Sequence, residues 1–191
     1  MFRSSPRIKI ASFFVLLLTC LLACGFLTSC GQDNEKLIRD SLTEELDDIK
    51  NLDPAYLEEL TSDPNVSQLE SFGIDPEEFV TSYLTGFDYR IDDVTVNGDT
   101  ATATVVLTTK SFSQFNDALN DATTDLLNDE SIYSMSMDEI YQVIGQTVMD
   151  VLDGLPTNET DPLTLDYELI DKTWTPTAES QSMLESSLMS N

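Results

Sequence analysis

Residues 87–109 read FDYRIDDVTVNGDTATATVVLTT, two runs rich in Val, Thr, Ile and Tyr on either side of Asn97-Gly98. An Asn-Gly pair between such runs signals a hairpin with a two-residue type I′ turn, in which both central positions take φ > 0. That turn sets Val96 opposite Asp99 and Val94 opposite Ala101. The returning strand then shows one apolar face, Ala101, Ala103, Val105 and Leu107, but the outgoing strand is split. Val94 and Val96 fall on one phase, and Phe87, Tyr89 and Ile91 on the other. One extra residue at Asp92-Asp93 restores the phase, because side-chain direction has period two and a β-bulge adds a residue to one strand only. Ile91 then faces Ala103, Tyr89 faces Val105 and Phe87 faces Leu107. An isolated hairpin is marginal in water, so the rest of the chain has to cover this face.

The chain on either side supplies that cover. Asp33 or Asn34 can cap a helix to about Lys50, with Ile38, Leu42, Leu46 and Ile49 on one stripe. Asp53-Pro54 and Asp75-Pro76 each place a cap and a first-turn proline before a short helix, with a loop over residues 65–74 between them. After Thr109, two capping-box patterns, Ser111 to Gln114 and Ser136 to Glu139, start a pair of antiparallel helices that end near Leu127 and Gly154. Residues 157–161 read as a loop. Leu163, Leu165, Tyr167 and Leu169 alternate with polar residues as a third strand, Asp171-Lys172 turns, and Thr173 to Thr175 form a fourth, with Pro176 and Thr177 opening a terminal helix. Helices, a hairpin, a helical pair and two more strands give an α+β class, a four-stranded antiparallel sheet packed against several helices.

The first thirty residues set an expected location. Arg3, Arg7 and Lys9 head an uncharged apolar run from Ile10 to Leu27, the layout of an export signal. The run closes on Leu27-Thr28-Ser29-Cys30, which resembles the bacterial lipobox. That resemblance implies a diacylglyceryl and acyl (palmitate-type) lipid on Cys30, cleavage after Ser29, and attachment to the outer face of the cell membrane. Cys24, after Leu21-Leu22-Ala23, is a competing site, but cutting there leaves Phe26 and Leu27 on the mature end. The expected division is a signal peptide over 1–29 and one extracytoplasmic domain over 30–191. The hairpin at Phe87 to Leu107 and the strand-turn-strand unit at Leu163 to Trp174 are similar to the paired hairpins of cystatin-like and NTF2-like folds, which implies a curved sheet with a long helix in its concave face. A lipobox followed directly by such a domain resembles lipoproteins found mostly in Gram-positive bacteria.

Charge and missing residue types narrow the function. All 35 acidic residues follow residue 29, against six basic ones, a formal −29. Nucleic acid is excluded as a partner, since phosphate binding needs clustered Lys and Arg; a basic protein or a small ligand remains open. There is no His, and the one Cys beyond the signal is Cys30. His-dependent triads and His-ligated zinc are therefore impossible, and no cofactor or metal is expected. The acidic stripe Asp117, Asp121, Asp125 reads as a solvated face, and lacks the spacing of a calcium loop. What chemistry is left is carboxylate chemistry. By the NTF2-like resemblance, Asp92 or Asp93 would be a base and Tyr83 or Tyr89 a donor, with Tyr167 and Trp174 lining a pocket or filling the core. The expected role is a binding or accessory module; the alternative is a small carboxylate-dependent hydrolase or isomerase.

Overall fold

A computed structural model describes residues 34–189; the expected signal peptide over 1–29 and Cys30 lie outside these described residues. Helix α1 (Asn34–Lys50) buries Ile38, Leu42, Leu46 and Ile49, the stripe its sequence spacing requires. Helices α2 (Pro54–Thr61) and α4 (Pro76–Leu84) begin at Asp53 and Asp75, whose carboxylates accept the first free backbone N–H groups. Between them the expected loop contains a turn of helix, α3 (Pro64–Ser67), and a 3₁₀ segment (Gln68–Phe72) that stops at Gly73 with φ +73°. Asp63-Pro64 repeats the acid-proline start, which explains why that segment coils. Among the described residues no helix is long and apolar enough to cross a membrane.

Strands β1 (Asp88–Asn97) and β2 (Thr100–Lys110) form the hairpin, and Asp92 is the bulge: Ile91 pairs with Val105, whereas Asp93 pairs with Thr104. The turn differs from expectation. Asn97 pairs with Thr100, so Gly98 and Asp99 are the central residues, and Gly98 alone has positive φ, at +66°. A turn with glycine first needs only one such residue, and it leaves Asn97 in the ladder. Every partner therefore moves by two: Val94 faces Ala103, Ile91 faces Val105 and Tyr89 faces Leu107. A shift of two preserves side-chain direction, so the apolar face is the one foreseen.

The sheet has five strands, in the order β1-β2-β4-β5, with β4 (Leu163–Ile170) and β5 (Thr173–Pro176) antiparallel to their neighbours. The additional strand, β3 (Thr157–Glu159), corrects the four-strand expectation. Strand β2 runs past the end of β4, and its overhanging N–H and C=O groups need partners. β3 supplies them at Thr108 to Lys110. Pro162 separates β3 from β4, and Thr160 spans the gap: its N–H donates to the Leu107 carbonyl (2.8 Å) and its hydroxyl accepts from the Leu107 N–H (3.1 Å). The turn at Asp171-Lys172 carries positive φ at both residues, +49° and +69°.

One face of the sheet is covered by α1, α2, α4 and α7 (Ala178–Met189), and the core runs from Leu42 and Leu46 through Ala103, Val105, Leu107 and Leu165 to Leu184. The opposite face carries Thr95, Thr102, Thr164, Asp166 and Glu168, all exposed. Helices α5 (Phe112–Asn128) and α6 (Met137–Gly154) pack on each other, joined through a 3₁₀ turn (Glu130–Ser134). Ser111 accepts from Gln114 N–H, but only Ser136 and Glu139 close a reciprocal capping box. Two features seat this pair. A Cβ on Gly145 would come within 2.1 Å of the Phe72 carbonyl oxygen, so α6 approaches the Gln68–Phe72 backbone only because that residue is glycine. The buried Lys110 ammonium donates to Ser82 O (2.7 Å) and Leu152 O (2.8 Å), in the last turns of α4 and α6. Those are the negative ends of two helix dipoles.

Deletion of Asp92 is expected to turn either Tyr89 and Ile91 or Val94 and Val96 off the core, with a loss of roughly 2–5 kcal/mol or more. Asp92→Ala keeps the residue count and gives up only an exposed pairing with Arg90, worth about 0–1 kcal/mol. Urea unfolding of the two variants checks this; a deletion as mild as the substitution would refute the bulge.

Candidate functional site

The residues singled out from the sequence separate into two groups. Asp92 and Asp93 are exposed: Asp92 accepts from Arg90 Nε (2.6 Å) and Asp93 from the Thr95 hydroxyl (2.8 Å). Tyr83 and Tyr89 point inward and serve packing contacts. The Tyr83 hydroxyl donates to Leu188 O (2.7 Å), tying α4 to α7, and burial pushes its pKa up to about 12. Tyr89 donates to Asp47 Oδ1 (2.7 Å) and Thr43 O (3.3 Å) on α1, and burial and the Asp47 carboxylate push it up to about 12. The two hydroxyls are therefore engaged with α7 and α1 rather than with Asp92 or Asp93. Tyr167 and Trp174 do come together: Leu169 pairs with Trp174 and Tyr167 with Pro176, which makes the two rings diagonal neighbours on the core side of β4 and β5.

The structure adds Glu45 and Tyr56 to that pair. Glu45 stands where the α1 stripe would carry an apolar residue: Ile38, Leu42, Glu45 and Ile49 follow the i, i+4, i+7, i+11 pattern of one helix face. Burial, followed by the neighbouring Asp48, pushes its carboxyl up to about 7. The Glu45 charge in turn acts on two phenols, raising Tyr56 and Tyr167 after the larger effect of burial on each. The hydroxyl of Tyr56 and Nε1 of Trp174 are fully buried with no hydrogen-bond partner. An unpaired buried donor costs about 1–3 kcal/mol, so two in one region mark a place not optimised for stability alone.

The joint between α1 and α2 sets this geometry. Leu52 has φ +52°, Leu52 N–H donates to Ile49 O (3.2 Å) and Asp53 N–H to Asp48 O (2.9 Å), the paired bonds of a Schellman cap. A glycine usually fills that position, and a leucine there costs of order 1–3 kcal/mol. Leu52 packs against the core, which offsets the strain. Asp53 then caps α2 through Ala55 and Tyr56 N–H and brings Tyr56 over the Glu45 side of α1. A polar residue in an apolar stripe was the available sequence signal for Glu45; nothing local marked Tyr56.

Two depressions also mark the surface. One lies at the α4–α6 junction, lined by Asp75, Glu77, Glu78, Thr81 and Asp153, where Asp153 also accepts a hydrogen bond from the Ser82 hydroxyl. The other is on the open sheet face, between Thr95, Asn97, Thr100, Thr102, Asp166 and Glu168. Among the described residues no group of three or more carboxylates converges as a metal site.

Neither the scan against protein-family models nor the search of curated proteins finds a match. Among solved structures, a Bacillus subtilis protein described as a "putative lipoprotein (ycdA)" is similar at 13% identity with a TM-score of 0.42. The alignment covers 81% of this chain and 46% of that one, so this chain spans less than half the length of its structural neighbour.

The Glu45 carboxyl makes stability depend on pH. A carboxyl whose folded pKa lies above the unfolded value binds its proton more tightly in the folded state. Its contribution is complete below the ordinary 4.5 and is lost as pH rises through about 7. The expected loss is roughly 3 kcal/mol at most. Glu45→Gln should remove that slope, and so should be the more stable form at about pH 8 and near the parent at about pH 5. Parallel denaturation curves for the two proteins across this range would show that Glu45 is not held as described.

Proposed function

We propose that the chain is a lipid-anchored, extracytoplasmic binding or accessory module of a Gram-positive cell membrane, built on a cystatin-like or NTF2-like plan with α1 lying along the apolar side of the sheet. The observation that carries the binding reading is the disposition of charge. Asp92, Asp93, Asp166 and Glu168 all face solvent, and the α4–α6 depression is walled by four carboxylates. Such a surface accelerates encounter with basic proteins or cations and repels anionic polymers, nucleic acid included. The anchoring rests on the basic head, the apolar run and Leu27-Thr28-Ser29-Cys30.

A second reading is kept by one specific observation. Burial, followed by Asp48, pushes the Glu45 carboxyl up to about 7, the range a general base requires, and its charge acts on the buried phenol of Tyr56. In that reading the chain is a small carboxylate-dependent hydrolase or isomerase with Glu45, rather than Asp92 or Asp93, as the base. Turnover that disappears in Glu45→Gln with an unchanged fold would establish it.

Cys30→Ser is the test of location. The parent protein should sit in the membrane fraction with an intact mass that includes the lipid, and the variant should leave that fraction. A parent protein whose mature chain starts elsewhere and carries no lipid would overturn the assignment.

A further inference from the structure

Five large apolar side chains are exposed among the described residues, and four of them fall within fifteen consecutive positions: Leu127 (63% exposed), Tyr133 (82%), Met137 (60%) and Tyr141 (40%). Leu127 closes α5, Tyr133 lies in the 3₁₀ turn, and Met137 and Tyr141 are one turn apart on the first two turns of α6. Because α5 and α6 pack side by side and are joined through that turn, all four gather at the outer tip of the helical pair. The pair is buried at its other end, where Phe115 and Leu152 are covered and Lys110 holds the last turn of α6. Tyr141 also meets the Phe72 ring edge-on at 5.7 Å, which fixes one side of the patch to the body of the domain. Folding gives no reason for the other three to be apolar. A cluster of exposed Tyr, Met and Leu within a polar rim has the composition of an interface centre.

The rim decides what fits. Residues 111–154 hold nine carboxylates and no Lys or Arg. Asp125, Glu130 and Asp138 are exposed around the tip, and Asp129 and Glu139 are held charged by hydrogen bonds from Ser131 and Ser136. A second copy would set these carboxylates against their own kind, and an anionic membrane surface would meet the same repulsion. We propose that the α5–α6 tip is a docking surface for a basic amphipathic helix of a partner protein, whose apolar side chains cover Leu127, Tyr133 and Met137 while its Lys or Arg residues pair with the rim. This rests on the binding reading above and names its site and partner chemistry.

The test uses the full chain carrying Cys30→Ser, accepted only if its melting curve matches the lipidated protein. The probe is a short helical peptide of Leu and Lys, with a counterpart in which every Lys is Glu, titrated by calorimetry. The basic peptide should bind, weaken as salt rises, and lose roughly tenfold or more in affinity in the triple variant Leu127→Ser, Tyr133→Ser, Met137→Ser. Asp171→Asn with Glu179→Gln, at the β4–β5 turn and in the first turn of α7, should leave affinity unchanged. Equal binding by the triple variant would reduce the effect to bulk charge and overturn the site. Binding of the acidic peptide, dimerisation through the tip, or attachment to phosphatidylglycerol vesicles that the triple variant loses would each overturn the proposed occupant. None of these results bears on whether Cys30 is lipidated, so the anchoring and the docking surface fail separately.

Discussion

A single unpaired residue, Asp92, brings two apolar sets on β1 into register with one face of β2. Without it the strand would offer either Tyr89 and Ile91 or Val94 and Val96 to the core, never both. This matters more here than in most domains, because residues 30–191 carry a formal −29 and the described residues hold no cysteine. No disulfide ties the described residues together, and self-repulsion opposes compaction. Cohesion therefore comes from one continuous apolar layer between the sheet and α1, α2, α4 and α7. The bulge also lies where α1 reaches the sheet edge: Arg39 donates to the Ile91 carbonyl (2.9 Å), which occupies an edge group that another chain could otherwise pair with.

The scarcity of cations shapes everything outside that layer. Of the six basic residues after residue 29, five are engaged: Lys36 and Lys50 pair with Asp40 and Asp88, Arg90 with Asp92 and Glu159, Arg39 with the Ile91 carbonyl, and Lys110 with two helix ends. Lys110 is the most consequential of these, since it joins the end of β2 to the C-terminal turns of α4 and α6. Burial draws its pKa below the ordinary range and the nearby Asp153 resists that, so the carbonyls receive a charged donor in a partly desolvated setting. Five of the six cations are thus spent on holding α1, β1, β3 and the helical pair in place. What is left is uncompensated negative charge, which residues 51–87 and 111–154 both carry without a Lys or Arg, and beside the exposed apolar tip of α5 and α6 it is the physical basis for a basic partner.

How much of this could be read in advance follows from how local each signal is. The helix starts at Asp53, Asp75 and Ser136 were legible because a cap satisfies backbone groups two or three residues away. The bulge was legible because two apolar sets out of phase admit few other solutions. The exact turn was not: Asn97-Gly98-Asp99 contains one glycine, and the sequence does not say whether that glycine takes the first or second central place. β3 was hidden because its reason for being a strand is the overhang of β2, a long-range fact that Thr157 to Glu159 do not record. At the candidate site, Tyr167 was found by alternation and Trp174 as the one tryptophan on the short strand after the Asp171-Lys172 turn, whereas Asp92 and Asp93 were chosen by analogy and face solvent. Glu45 was readable as a charge within an apolar stripe, and Tyr56 was not, since only the left-handed turn at Leu52 brings it there.

The account stands on the register of the hairpin, which an NMR nuclear Overhauser spectrum of the sheet reads without any substitution. On one side of Asp92 it should show cross-strand contacts of Tyr89 with Leu107 and Ile91 with Val105, and on the other side contacts of Val94 with Ala103 and Val96 with Ala101. An unbroken ladder, with Ile91 against Val106 and Tyr89 against Thr108, would contradict it.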